Sequence, residues 1–119
     1  MANEFFGFVG SNAIQRGFPF GPARPFTITS GLASLVGFEA QLRLRKQSCS
    51  DVLYSICTPG ATPEQGTAIV GLTISGLTIS VALTGTQANV IDEADYIGSL
   101  TWYSATESYT TPDFPVRVC

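Results

Sequence analysis

The residue types that carry most protein chemistry are scarce in this chain, and that scarcity is the first constraint on its function. The sequence contains no histidine. Without an imidazole there is no ordinary general base, no Ser-His or Cys-His nucleophile pair and little prospect of a catalytic zinc site. Carboxylates remain, and Asp92, Glu93 and Asp95 stand close together. A carboxylate pair can hydrolyse a glycosidic bond, but three acids just ahead of a strand pattern read first as a solvated loop. The letters Asp92-Glu-Ala-Asp95 match the helicase box by chance, since no phosphate-binding Gly-Lys-Thr/Ser loop accompanies them. A calcium site there would need further oxygen ligands at a recognisable spacing, and none is present. No catalytic, cofactor-binding or metal-binding residue is assigned, and the chain is read as non-enzymatic.

Three cysteines are the most informative reactive groups, because an odd number cannot all pair within one chain. Cys49 falls in the polar stretch between two strand patterns. Cys57 is out of phase with Val52, Tyr54 and Ile56, and Cys119 with Phe114, Val116 and Val118, so both are expected to point away from the core. Exposed thiols suit a crosslink between subunits of a particle that survives outside cells. An intermolecular disulfide through Cys119 or Cys49 is one expectation. A Cys49–Cys57 bridge with Cys119 free, or three reduced thiols, are the others.

The bulk composition narrows the class. At 119 residues the chain is long enough for one core. Charged residues make up 13%, against about 25% in ordinary globular domains. A surface so poor in charge suggests burial against other proteins. The net charge of −3 argues against a nucleic-acid binder, which needs a basic face. No apolar run reaches membrane-spanning length, and the first residues lack the basic-then-apolar order of a secretory signal.

The elements that would position these groups are strands. Phe26 and Ile28 share a face; Phe38, Ala40, Leu42 and Leu44 alternate with Glu39, Gln41, Arg43 and Arg45; Val52, Tyr54 and Ile56 follow. Leu72–Ile74 and Leu77–Leu83 form a hairpin about Ser75-Gly76, in which Gly-Leu-Thr-Ile-Ser occurs twice. One short helix is expected over 84–91, with Thr84 as cap and Gln87 closing a capping box. Tyr96–Tyr103 and Phe114–Val118 complete the set, with a turn at Ala105–Ser108. Frequent short strands predict an all-β fold, a small antiparallel β-sandwich of Ig-like or jelly-roll-like form over residues 25–119. Residues 1–24 form an extended arm, rich in glycine and proline and carrying Phe5, Phe6, Phe8, Phe18 and Phe20. Its rings are expected to lie in a groove of its own domain or of a neighbour. Charge is segregated too: Arg43, Arg45 and Lys46 in one place, Asp92, Glu93 and Asp95 in another.

With the strands laid out, residues 17–118 resemble a small β-sandwich domain of tailed-phage structural proteins, best known as the N-terminal domain of baseplate upper proteins. The shared features are the phenylalanine-rich opening into Phe26-Thr-Ile-Thr, then Leu42-Arg-Leu-Arg and Val52-Leu-Tyr-Ser-Ile. Leu77-Thr-Ile-Ser-Val-Ala-Leu-Thr-Gly-Thr-Gln87 is similar to the family's strand running into a Leu-Thr-x-x-Gln turn, and Tyr96-Ile-Gly-Ser-Leu-Thr-Trp to its Tyr-x-x-x-Leu strand. The chain departs from the pattern in Glu93-Ala-Asp95, where the family commonly has Pro-Gly, and in its cysteines. No fibre or receptor-binding domain is expected to follow. The resemblance implies a baseplate or tail-fibre component of a virion, made in the host cytoplasm and docked to other virion structural proteins, with a dimer or trimer of itself expected. A capsid decoration protein that clamps neighbouring subunits is the alternative. A carbohydrate-binding module would need Trp102 and Tyr103 exposed on one surface, whereas adjacent strand residues face opposite ways.

Overall fold

A computed structural model describes residues 13–27, 35, 37–46, 51–60, 66–111 and 113–119. They form a small all-β sandwich of two packed sheets. The order is β1 (Phe20–Thr27), β2 (Glu39–Arg45), β3 (Tyr54–Cys57), β4 (Thr67–Val70), β5 (Leu72–Ser75), β6 (Thr78–Leu83), α1 (Gly85–Val90), β7 (Ala94–Tyr103), β8 (Ser108–Thr110) and β9 (Phe114–Val118). The larger sheet runs β4-β3-β2-β7-β8, with β9 also on β7; the smaller runs β1-β6-β5. Pairing is antiparallel except between β3 and β4 and at a bridge from Ile14 to Val118.

Period-two patterning sets the faces. In β2 the residues Ala40, Leu42 and Leu44 are fully buried and stand beside Trp102, Leu100 and Gly98 of β7. Ile56 flanks Leu42 on β3, and Ile69 flanks Ile56 on β4. From the opposite sheet Leu72, Ile79, Val81 and Leu83 close the same core. Each large apolar side chain withdrawn from water in this way contributes about 1.5–3 kcal/mol.

The chain changes sheets at Gly71, which joins β4 to β5. Its N–H donates to Cys57 O (3.0 Å) and its carbonyl accepts from Ala82 N–H (2.8 Å). A Cβ there would lie 2.4 Å from Leu83 Cδ2 and 3.0 Å from Ile56 Cγ2, so a side chain at this corner must displace Leu83. Thr67–Val70, the strand leading into it, is absent from the sequence-based reading, as is β8. The hairpin expected at Ser75-Gly76 turns one residue later: Ser75 pairs with Thr78, and Gly76 (φ +60°) and Leu77 form the loop.

The helix forms as the sequence predicts. Thr84 Oγ1 accepts from Gln87 N–H (3.1 Å) and Gln87 Oε1 accepts from Thr84 N–H (2.9 Å), a complete capping box. The boundary placed between residues 24 and 25 falls inside β1. Ile14 is a fully buried core residue, held by Ile14 N–H to Arg117 O and by Cys119 N–H to Ile14 O, both 2.9 Å. Arg16 then caps the end of α1 with bonds to Ile91 O (2.8 Å) and Asn89 O (3.0 Å). The sandwich therefore includes residues from Ala13 onward: an apolar residue at 14 had an empty place beside β9 to fill, which period alone does not reveal.

Candidate binding surface

The residues singled out from the sequence are not brought together. Phe5, Phe6, Phe8 and Cys49 lie outside the described residues. Phe18 is the most outward of the large apolar side chains among the described residues, 63% exposed, in the turn that packs against Gly85 at the start of α1. Phe20 is not an arm residue: it opens β1, pairs with Leu83 and packs partly buried against the core. Cys119 is exposed, with its Sγ 3.8 Å from Ile14 O.

Cys57 corrects an expectation. Its phase is as read from the sequence: it stands beside Gln41 and Val70 on the face of the larger sheet opposite the core. Yet it is only 1% exposed, so it is no accessible thiol. This face is itself closely packed, for Gln41, Ser55, Ser99 and Thr101 are buried on it as well. Burial pushes the Cys57 thiol up from its ordinary value; a backbone hydrogen bond with Ile69 pulls it down, and the Glu39 carboxylate adds to the rise.

A polar relay organises the centre of that face. Arg43 Nε donates to Gln41 Oε1 (3.2 Å), Gln41 Nε2 donates to the Tyr103 hydroxyl (2.9 Å), and Thr101 and Thr110 share a hydroxyl bond of 2.9 Å. Burial holds the Tyr103 phenol protonated, with the Gln41 bond opposing and the Glu39 charge assisting. Trp102, on the other face, is core and stacks on Tyr109 at 5.9 Å. Trp102 and Tyr103 thus face opposite ways, as neighbours on a strand must, and form no joint stacking platform.

The two charge clusters read from the sequence each find partners outside themselves. Arg45 stands beside Ile97 of β7, two residues along the strand from Asp95. Arg117 of β9 reaches Asp95 (3.2 Å) and Glu93 (3.5 Å), while Arg45 reaches Asp113 (3.0 Å). Register, not sequence distance, decided this: β9 inserts its arginine beside the acids. Exposed pairs of this kind contribute about 0–1 kcal/mol each. Glu93 and Asp95 share Arg117. Among the described residues no group of three or more Cys, Asp or Glu side chains gathers to hold a metal.

A concave surface is present among the described residues. An open groove of about 340 Å³ is lined by Phe38, Glu39, Thr58, Pro59, Leu72, Thr73 and Ile74, where the start of β2 and the end of β3 meet β5. Thr58 fixes its floor through Thr58 Oγ1, which accepts from Ala40 N–H (3.1 Å), and through its own N–H to Ala40 O (3.1 Å). Sequence reasoning missed this groove; the signal was Phe38 and Glu39 adjoining at a strand start, a pattern common to many strands. No family model matches the chain, and no curated protein matches it.

Proposed function

We propose that this protein is a structural part of a tailed-phage virion, a baseplate or tail-fibre component that joins neighbouring subunits through its N-terminal segment. The reading is carried by one combination: 13% charged residues together with outward apolar side chains at Phe18, Leu53, Val70 and Val90. Such side chains on a charge-poor surface gain by being covered. The phenylalanines at 5, 6 and 8 supply further apolar area just ahead of the point where the sandwich starts. Cys119, exposed beside Ile14, is placed to fix a joint covalently, whereas Cys57 is withdrawn from that role by its burial.

Deletion tests the reading, and the fold sets its limit. Ile14 belongs to the core, so residues 2–12 are removed and no more. The shortened protein is expected to stay folded and to be lost from purified particles. Incorporation at the normal level would end the proposal. Densitometry of intact particles separates a tail position, at dozens of copies or fewer, from a capsid decoration at hundreds.

A further inference from the structure

We infer that the outer edge of β5, with the groove beside it, is a docking site for an extended peptide carrying a cationic residue. Edge strands expose unpaired backbone groups and are usually blunted. Here the other edges are. Gln87 Nε2 donates to Val70 O (2.6 Å) and caps β4. Residues 14–16 pair along β9. Proline at 22 and 25 and two register shifts break β1, and β8 has three residues. β5 carries none of these devices. It has no charge and no proline, and it pairs with β6 in unbroken register from Leu72 to Ser75.

The hydrogen-bond phase shows what its edge offers. Ala82 N–H donates to Gly71 O, so the closely bonded pairs are 71/82, 73/80 and 75/78. The N–H and C=O groups of Leu72 and Ile74 then point away from β6, and no bond to them forms among the described residues. An added strand would pair with these groups and direct alternate side chains into the groove. Its walls at Phe38, Pro59, Leu72 and Ile74 suit an apolar residue. At the rim, Glu39 is engaged by no ion pair among the described residues, its carboxylate lying beside Gly60 and the Tyr103 hydroxyl.

Charge selects the occupant. A carboxylate without a counter-ion favours lysine or arginine. A second copy meeting β5 edge to edge would bring Leu72 and Ile74, which already serve its own core. The N-terminal segment of a neighbouring copy is apolar but has no cation before Arg16. A basic, extended segment of a different protein fits both the edge and the rim. The inference goes beyond the virion reading, since it is tested on the isolated full-length protein.

Three heptapeptide pools, alternating Thr with Val, Ile or Tyr and centred on Arg, Glu or Ser, are titrated while backbone amide resonances are followed. The Arg pool is expected to shift and protect the Leu72 and Ile74 amides and to bind at least about tenfold more tightly than the Glu pool. E39K, at a half-buried surface position, is expected to reverse that order, and E39Q to flatten it. No binding at Leu72 and Ile74 by any pool would overturn the inference, as would binding indifferent to residue 39. Preference for a peptide of residues 2–12, or concentration-dependent self-association through β5, would overturn it in favour of a second copy.

Discussion

Gln87 reaches Val70: its Nε2 donates to the Val70 carbonyl at 2.6 Å while its Oε1 accepts from the Thr84 amide at 2.9 Å. One carboxamide thus closes the N-terminus of α1 and seals the edge of β4, tying a local helix signal to the tertiary fold. The two roles separate by substitution. Gln87→Glu keeps an acceptor for Thr84 but sets a carboxylate oxygen against the Val70 carbonyl; Gln87→Ala removes both bonds. Both variants are expected to unfold at lower denaturant, by about 1–2 kcal/mol. Hydrogen exchange tells them apart. Gln87→Glu should leave the Thr84 amide protected while β4 loosens, whereas Gln87→Ala exposes both, and equal loss at both places in Gln87→Glu would refute the division of roles.

Gly71 gives a steric prediction. With Leu83 Cδ2 at 2.4 Å and the Ala82 carbonyl at 3.2 Å from the position of an added Cβ, Gly71→Ala must displace the buried Leu83 side chain and crowd the corner. The cost is expected to be about 1–3 kcal/mol, read as a fall in thermal midpoint. Gly76→Ala is the control: no atom lies within 4 Å of its Cβ, and only the cost of its positive φ should register. A corner substitution as mild as the hairpin one would show that the corner relaxes freely.

Much of this fold was legible from the sequence where one face of an element decides its register. Ala40, Leu42 and Leu44 alternate cleanly and are fully buried, and the Thr84-Gln87 spacing named the only helix among the described residues. What stayed hidden depended on partners distant in sequence. Ile14 is core because β9 offers it an edge 104 residues later. Thr67–Val70 is a strand because β3 lies beside it in parallel, although four residues running into a glycine corner carry no period of their own. Cys57 had the right phase and the wrong exposure, since phase assigns a face and neighbours decide access. The site was less legible than the scaffold. A groove made from Phe38, Thr58 and Ile74 exists only after β2, β3 and β5 converge.

The tyrosine clasp at Asp92 sets the alkaline limit of stability. Tyr96 donates its hydroxyl to Asp92 O (2.7 Å), and the Asp92 amide donates to the Tyr54 hydroxyl (3.2 Å), with the two rings edge to face at 5.9 Å. Burial, with the neighbouring Tyr54 and Asp92, pushes the Tyr96 phenol up to about 12 from an ordinary 10. A folded value above the unfolded one means that the fold favours the protonated phenol. Its contribution is therefore complete below pH 10 and is lost as the pH rises from 10 through 12. The loss is on the order of 2–3 kcal/mol for a two-unit shift. Denaturant midpoints between pH 8 and pH 12 should fall more steeply for the native chain than for Tyr96→Phe, which lacks the phenol. Parallel pH curves would remove Tyr96 as the cause.

The thiols supply the sharpest test of which faces are open. Cys119 is exposed; Cys57 is 1% exposed, and burial raises its thiol, so both access and thiolate fraction disfavour its reaction. Each is isolated by serine substitution at the other two cysteines and treated with a thiol reagent near neutral pH. Cys119 is expected to react at about the rate of a free thiol. Cys57 should be slower by roughly a hundredfold or more, because it waits for local opening of β3 and β4. Denaturant below the unfolding transition should accelerate Cys57 and leave Cys119 unchanged. A Cys57 that reacts as fast as Cys119 in native buffer would mean that the polar face of the larger sheet is open. The joint proposed for this protein would then have a further covalent anchor point at Cys57.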